Sequence, residues 1–66
     1  MENVIKEKRA IKGWTQDDLA ELVDVSRQTI ISIEKGRYNP SLLLAYRLAK
    51  LFDCTIEELF NFEEEA

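Results

Sequence analysis

Apolar residues return along this chain at helical spacing. Leu19 and Val23 stand one turn apart, Ile30 and Ile33 share a face, and the segment from Leu42 to Phe52 is dense in leucine. No stretch alternates apolar with polar residues long enough to suggest a strand, and only Gly13, Gly36 and Pro40 punctuate the chain. The pattern predicts an all-α domain of five helices. The first runs from about Asn3 to Lys12, where Gly13 supplies a left-handed turn. Thr15 caps a second, from Gln16 to about Val23, with Trp14 and Leu19 at the two positions of a hydrophobic staple. Ser26 caps a third, to about Lys35, with Val25 and Ile30 as its staple. Asn39 and Pro40 form a cap and first position for a fourth that reaches about Phe52. Thr55 caps a short fifth, with Cys54 and Leu59 as the staple and Glu58 completing a capping box.

The second and third helices are joined by only Asp24, Val25 and the cap Ser26, the short connection of a helix-turn-helix. Two helices cross closely only where a small side chain sits at the contact, and Ala20 is placed for it. Leu19, Val23, Val25, Ile30 and Ile33 then fill the interior. Arg27, Gln28, Ile31, Ser32 and Lys35 are left on the outer face of the third helix, a surface of donors and acceptors with one apolar member.

Composition narrows the possible chemistry. At 66 residues the chain forms one domain with one small core. The single cysteine, Cys54, forms no internal disulfide, and with no histidine there is no Cys/His set for a structural metal. Stability must come from regular helices and self-association. The same absences remove Ser-His and Cys-His nucleophile pairs, and no glycine-rich loop cradles a phosphate, so no enzyme and no cofactor is expected. No apolar run approaches a membrane span and no signal-peptide pattern opens the chain, so a cytoplasmic protein is expected. The net charge of -4 speaks against nucleic acid only as a sum. From residue 51 onward stand Asp53, Glu57, Glu58, Glu63, Glu64 and Glu65 with no base. Between 25 and 50, Arg27, Lys35, Arg37, Arg47 and Lys50 face the single acid Glu34. The acidic tail at 61–66 reads first as a solvated end, and second as a contact for a partner protein.

The residues also resemble a known family. Arg9 with Gly13, Thr15-Gln16, Leu19-Ala20, Val25-Ser26-Arg27-Gln28-Thr29-Ile30, Ile33-Glu34-Lys35-Gly36-Arg37, Asn39-Pro40-Ser41 and Ile56-Glu57-Glu58-Leu59-Phe60 match the pattern of the Cro and lambda-repressor-like helix-turn-helix family over nearly the whole chain. The chain looks most like its very short members, transcriptional regulators that bind double-stranded DNA as homodimers and have no separate ligand-binding domain. Two positions depart. Asp24 stands where the family commonly has glycine, and Lys8 stands where the first helix usually has leucine, so that its stem must cover the core with Ile11 adding apolar contact.

The resemblance implies roles. The third helix would lie in the major groove, with Arg27, Gln28, Ile31 and Ser32 at the bases. Gln16, Thr29, Lys35, Arg37, Tyr38 and Asn39 would meet phosphates, and Arg9 with Glu34 would form a structural ion pair. A repressor reading an inverted repeat is the expected function. The alternative is an autoregulatory antitoxin whose acidic C-terminal end binds a partner. The C-terminal third carries more apolar side chains than two short helices can tuck inward, and Leu51, Phe52, Phe60 and Phe62 are the expected homodimer face.

Overall fold

The computed structural model describes residues 1–63. It contains α1 (Ile5–Lys12), α2 (Gln16–Leu22), α3 (Arg27–Glu34), α4 (Leu42–Leu51) and α5 (Ile56–Leu59). The chain is all-helical, and among the described residues the one extended pairing is an antiparallel bridge between Asn3 and Phe60. The expectation that the tail is a solvated acidic end falls partly on Glu64 and Glu65, which lie outside the described residues.

The helices begin where side chains satisfy free amides. Thr15, Ser26, Ser41 and Thr55 each accept from the backbone N–H three residues on. Thr55 and Glu58 form a reciprocal capping box, as do Thr15 and Asp18. The aspartate at the third position of α2 carries a signal that the sequence reading did not use.

Four helices end alike. A left-handed residue closes each one: Gly13 as the C-cap of α1, and Asp24, Gly36 and Asp53 directly after the C-caps of α2, α3 and α4. The amide that follows then reaches back five residues: Trp14 to Arg9, Val25 to Ala20, Arg37 to Ser32, and Cys54 to Ala49. Three of the junctions are therefore one repeated unit: a left-handed residue, an apolar residue and a hydroxyl cap. Gly13-Trp14-Thr15, Asp24-Val25-Ser26 and Asp53-Cys54-Thr55 all follow it. Trp14, Val25 and Cys54 each close one helix, staple the next and pack on the core. The fourth junction, 37–41, is longer and exposes Arg37 and Tyr38.

The core joins Ile5, Leu19, Ala20, Val23, Ile30, Ile33, Leu44, Ala45, Leu48, Ala49, Phe52, Leu59 and Phe60. Several expectations need correction. Phe52 and Phe60 do not offer a dimer face: they are 6% and 2% exposed. Trp14 lies 5.8 Å from Phe52, and the N-terminal segment pairs with residue 60. Leu51 is half-buried, and of the four only Phe62 is exposed. Ile11 adds no contact beside Lys8, since it is 84% exposed. Helix α4 starts at Leu42 with Ser41 as cap, two residues later than the Asn39-Pro40 reading. Residues 37–41 must span from the end of α3 to α4, and each residue drawn into a helix shortens that reach by about 1.8 Å.

Helix α1 starts at Ile5 rather than Asn3, because Asn3 is used elsewhere. Its side-chain oxygen accepts from Ile5 N–H, and its Nδ2 donates to the carbonyls of Ile33 (2.8 Å) and Met1 (3.1 Å). Met1 N donates to Gly36 O at 2.9 Å. Residues 1–3 thus satisfy carbonyls at the end of α3, and a Cβ on Gly36 would stand 3.2 Å from Met1 O. Cys54 is half-buried, and burial pushes its thiol up, which lowers its thiolate fraction. Among the described residues no helix is long and apolar enough to cross a membrane.

Candidate nucleic-acid interface

Helix α3 is fixed from behind. Ile30 and Ile33 are fully buried against Leu19, Ala20 and Val23 of the α2 segment, which sets the rotation of α3 about its own axis. That rotation leaves Arg27, Gln28 and Lys35 exposed, with Thr29, Ile31 and Ser32 at the margin. The N-terminal end is anchored by Ser26, whose Oγ accepts from Thr29 N–H and lies 3.0 Å from Thr29 Oγ1. No acid stands in the first turn of α3. No carboxylate of that turn therefore offsets the helix's positive end beside Arg27.

The predicted residues gather in two clefts. One, of about 320 Å³, is lined by Ser26, Gln28, Thr29, Ser32, Arg37 and Tyr38, and joins the face of α3 to the long junction after it. The other, of about 410 Å³, holds Gln16, Asp17 and Arg27 at its rim, with Arg9 and Trp14 behind. Ile31 and Lys35 line neither cleft. Ile31 is half-buried on α3, Lys35 is exposed at its C-cap, and Asn39 is exposed on the junction. Arg27 Nε stands 3.9 Å from Asp17 Oδ1, with both side chains largely exposed. Such a pair is worth little in water and leaves Arg27 free to turn toward a ligand.

Behind the second cleft lies a fixed charge cluster. Arg9 Nε donates to Glu34 Oε2 at 2.8 Å and Arg9 Nη2 to Oε1 at 3.3 Å, a bidentate pair with side chains 15% and 6% exposed. Arg9 Nη1 also donates to Trp14 O at 2.9 Å. Gln16 Nε2 donates to Glu34 Oε1 at 3.1 Å. Three helices therefore meet at one carboxylate. Gln16, read from the sequence as a phosphate contact, has one amide hydrogen committed to Glu34 and a second left for a ligand. The coupling of Gln16 to Glu34 was not legible in the chain, since it joins residues of two helices whose approach depends on how those helices cross.

Comparison with known proteins agrees with this geometry. Residues 5–59 match the helix-turn-helix family. The chain is 52% identical over 65 residues to an uncharacterised HTH-type transcriptional regulator of Methanocaldococcus jannaschii, covering 98% of each chain. It is 51% identical over 65 residues to another from Bacillus subtilis, again with 98% of each covered. Among solved structures it resembles the restriction-modification controller protein C.AhdI of Aeromonas hydrophila. The TM-score is 0.75 at 36% identity, and 85% of each chain is covered.

Proposed function

Given that the chain belongs to the helix-turn-helix family of HTH-type transcriptional regulators, we propose that it is a cytoplasmic repressor. It binds an inverted-repeat operator as a homodimer, with α3 of each copy in the major groove. The observation that carries the reading is the orientation of α3. Its apolar side is locked onto α2, its outer side presents Arg27, Gln28, Ile31 and Ser32, and Gln28 and Ser32 share a cleft with Arg37 and Tyr38. Arginine suits guanine O6 and N7, glutamine suits adenine N6 and N7, and Ile31 suits a thymine methyl. Gln16, Thr29, Lys35, Arg37, Tyr38 and Asn39 flank the strip and meet phosphates, fixing register without reading sequence. A two-fold pair would set its reading helices about 34 Å apart, one turn of DNA.

The test separates the two kinds of contact. After an operator is selected from a random DNA pool, Arg27→Ala or Gln28→Ala is expected to relax preference at one base position each, at a cost of about 1–3 kcal/mol. Arg37→Ala is expected to weaken all sequences alike and to reduce the slope of log K against log salt by about one unit. If the α3 variants lose only uniform affinity, α3 is not the reading element.

A further inference from the structure

We propose that the groove between the end of α2 and the outer face of α4 receives the C-terminal segment from Phe62 to Glu65 of a second copy of this chain, each copy serving the other. The inference rests on the two-fold reading above and names the surfaces that make the pair. The groove, about 520 Å³, is lined by Leu22, Val23, Tyr46, Arg47, Lys50 and Leu51. Leu22 and Tyr46 stand about half-exposed there, apolar surface left open by the monomer. Arg47 and Lys50 lie one turn apart on the same face of α4, and neither forms an ion pair among the described residues.

The chain itself carries a segment of complementary character. Phe62 is an exposed aromatic residue, followed by Glu63, Glu64 and Glu65. In its own protomer this segment leaves from a like-charged surface. Asn61 N–H donates to Glu2 O, Phe62 stands 6.4 Å from Phe60, and the adjoining cleft is lined by Glu2, Glu57, Glu58 and Glu63. Repulsion at the exit and attraction at the groove act in the same direction. Phe62 supplies the apolar anchor for Leu22 and Tyr46, and the carboxylates meet Arg47 and Lys50. Because groove and segment lie on one chain, a two-fold axis makes the contact twice.

Two charge-reversed variants test this. R47E/K50E makes groove and segment both acidic, and E63K/E64K/E65K makes both basic. In sedimentation at micromolar concentration the natural chain is expected to dimerise, and each variant alone to dimerise about tenfold or more weakly. An equimolar mixture of the two is expected to recover the dimer, since every groove then faces a segment of opposite sign. R47Q/K50Q, which adds no repulsion, is expected to weaken the dimer in the same direction. Circular dichroism checks that each variant folds, as Arg47, Lys50 and Glu63 are exposed. Variants that dimerise like the natural chain, or a mixture that stays monomeric, overturn this interface and leave the two-fold reading standing. A natural chain that stays monomeric at all concentrations, with or without DNA, removes both.

Discussion

Replacing Glu34 by alanine probes the three-helix cluster most directly. The substitution deletes the carboxylate that accepts from Arg9 Nε, Arg9 Nη2 and Gln16 Nε2. It leaves a guanidinium only 15% exposed, with Trp14 O as its one remaining partner. Breaking a fully buried pair costs about 3–5 kcal/mol, whereas an exposed pair is worth less than about 1 kcal/mol. With Glu34 nearly buried and Arg9 partly so, about 2–3 kcal/mol is expected. A domain of this size has only about 3–10 kcal/mol of stability in total. The loss should therefore lower Tm by about 10–20 °C. Thermal and urea unfolding followed by circular dichroism measure it, and the gap should persist in high salt because the pair is shielded from solvent ions. R9M/E34L, which removes both charges, is expected to regain much of the loss. A Tm for Glu34→Ala within about 2 °C of the natural chain would show the cluster to be a surface pair, and the reasoning would fail.

Asp24→Gly and Asp53→Gly, at φ of 59° and 55°, are each expected to raise stability by about 0.5–1 kcal/mol, read from urea unfolding; unchanged midpoints would mean that aspartate sits in this conformation without cost. Phe60→Ala is expected to lower monomer stability by about 3–5 kcal/mol, and a folded, dissociated monomer would instead return Phe60 to the interface. Hydrogen bonds from Thr55 hold the Glu58 carboxyl below its ordinary range. Its contribution is present above the ordinary carboxylate value and is lost as pH falls through the lowered one. The Tm gap between the natural chain and Glu58→Gln should therefore close in acid, and a gap constant from neutral to acid pH would contradict this.

The helix starts at Gln16, Arg27 and Ile56 were legible because their signals are local: a hydroxyl cap with an apolar residue before it and another at the fourth position after it. The start of α4 was not, because Asn39-Pro40 and Ser41 are both good caps. Residue type alone does not choose between them, and the structure uses Ser41, whose Oγ accepts from Leu44 N–H. Phe52 and Phe60 were misplaced for a similar reason. An apolar excess can be counted along the chain, but which members turn inward depends on Trp14 and on the pairing of Asn3 with Phe60, contacts between residues far apart. The exposed residues of α3 were readable from helical period alone. Their neighbours across the clefts, and the use of Gln16 by Glu34, were not.

The repeated junction decides where this fold tolerates a change of length. In Gly13-Trp14-Thr15, Asp24-Val25-Ser26 and Asp53-Cys54-Thr55, a single apolar residue both ends one helix and staples the next. One inserted residue must therefore break either the backward amide bond or the staple. Those three links have no slack. The junction at 37–41 has no such double duty, and insertions or deletions there alter the loop beside α3 while the core keeps its register. Variation in loop length among relatives should collect at that one place, so that the surface beside α3 can change without refolding the domain.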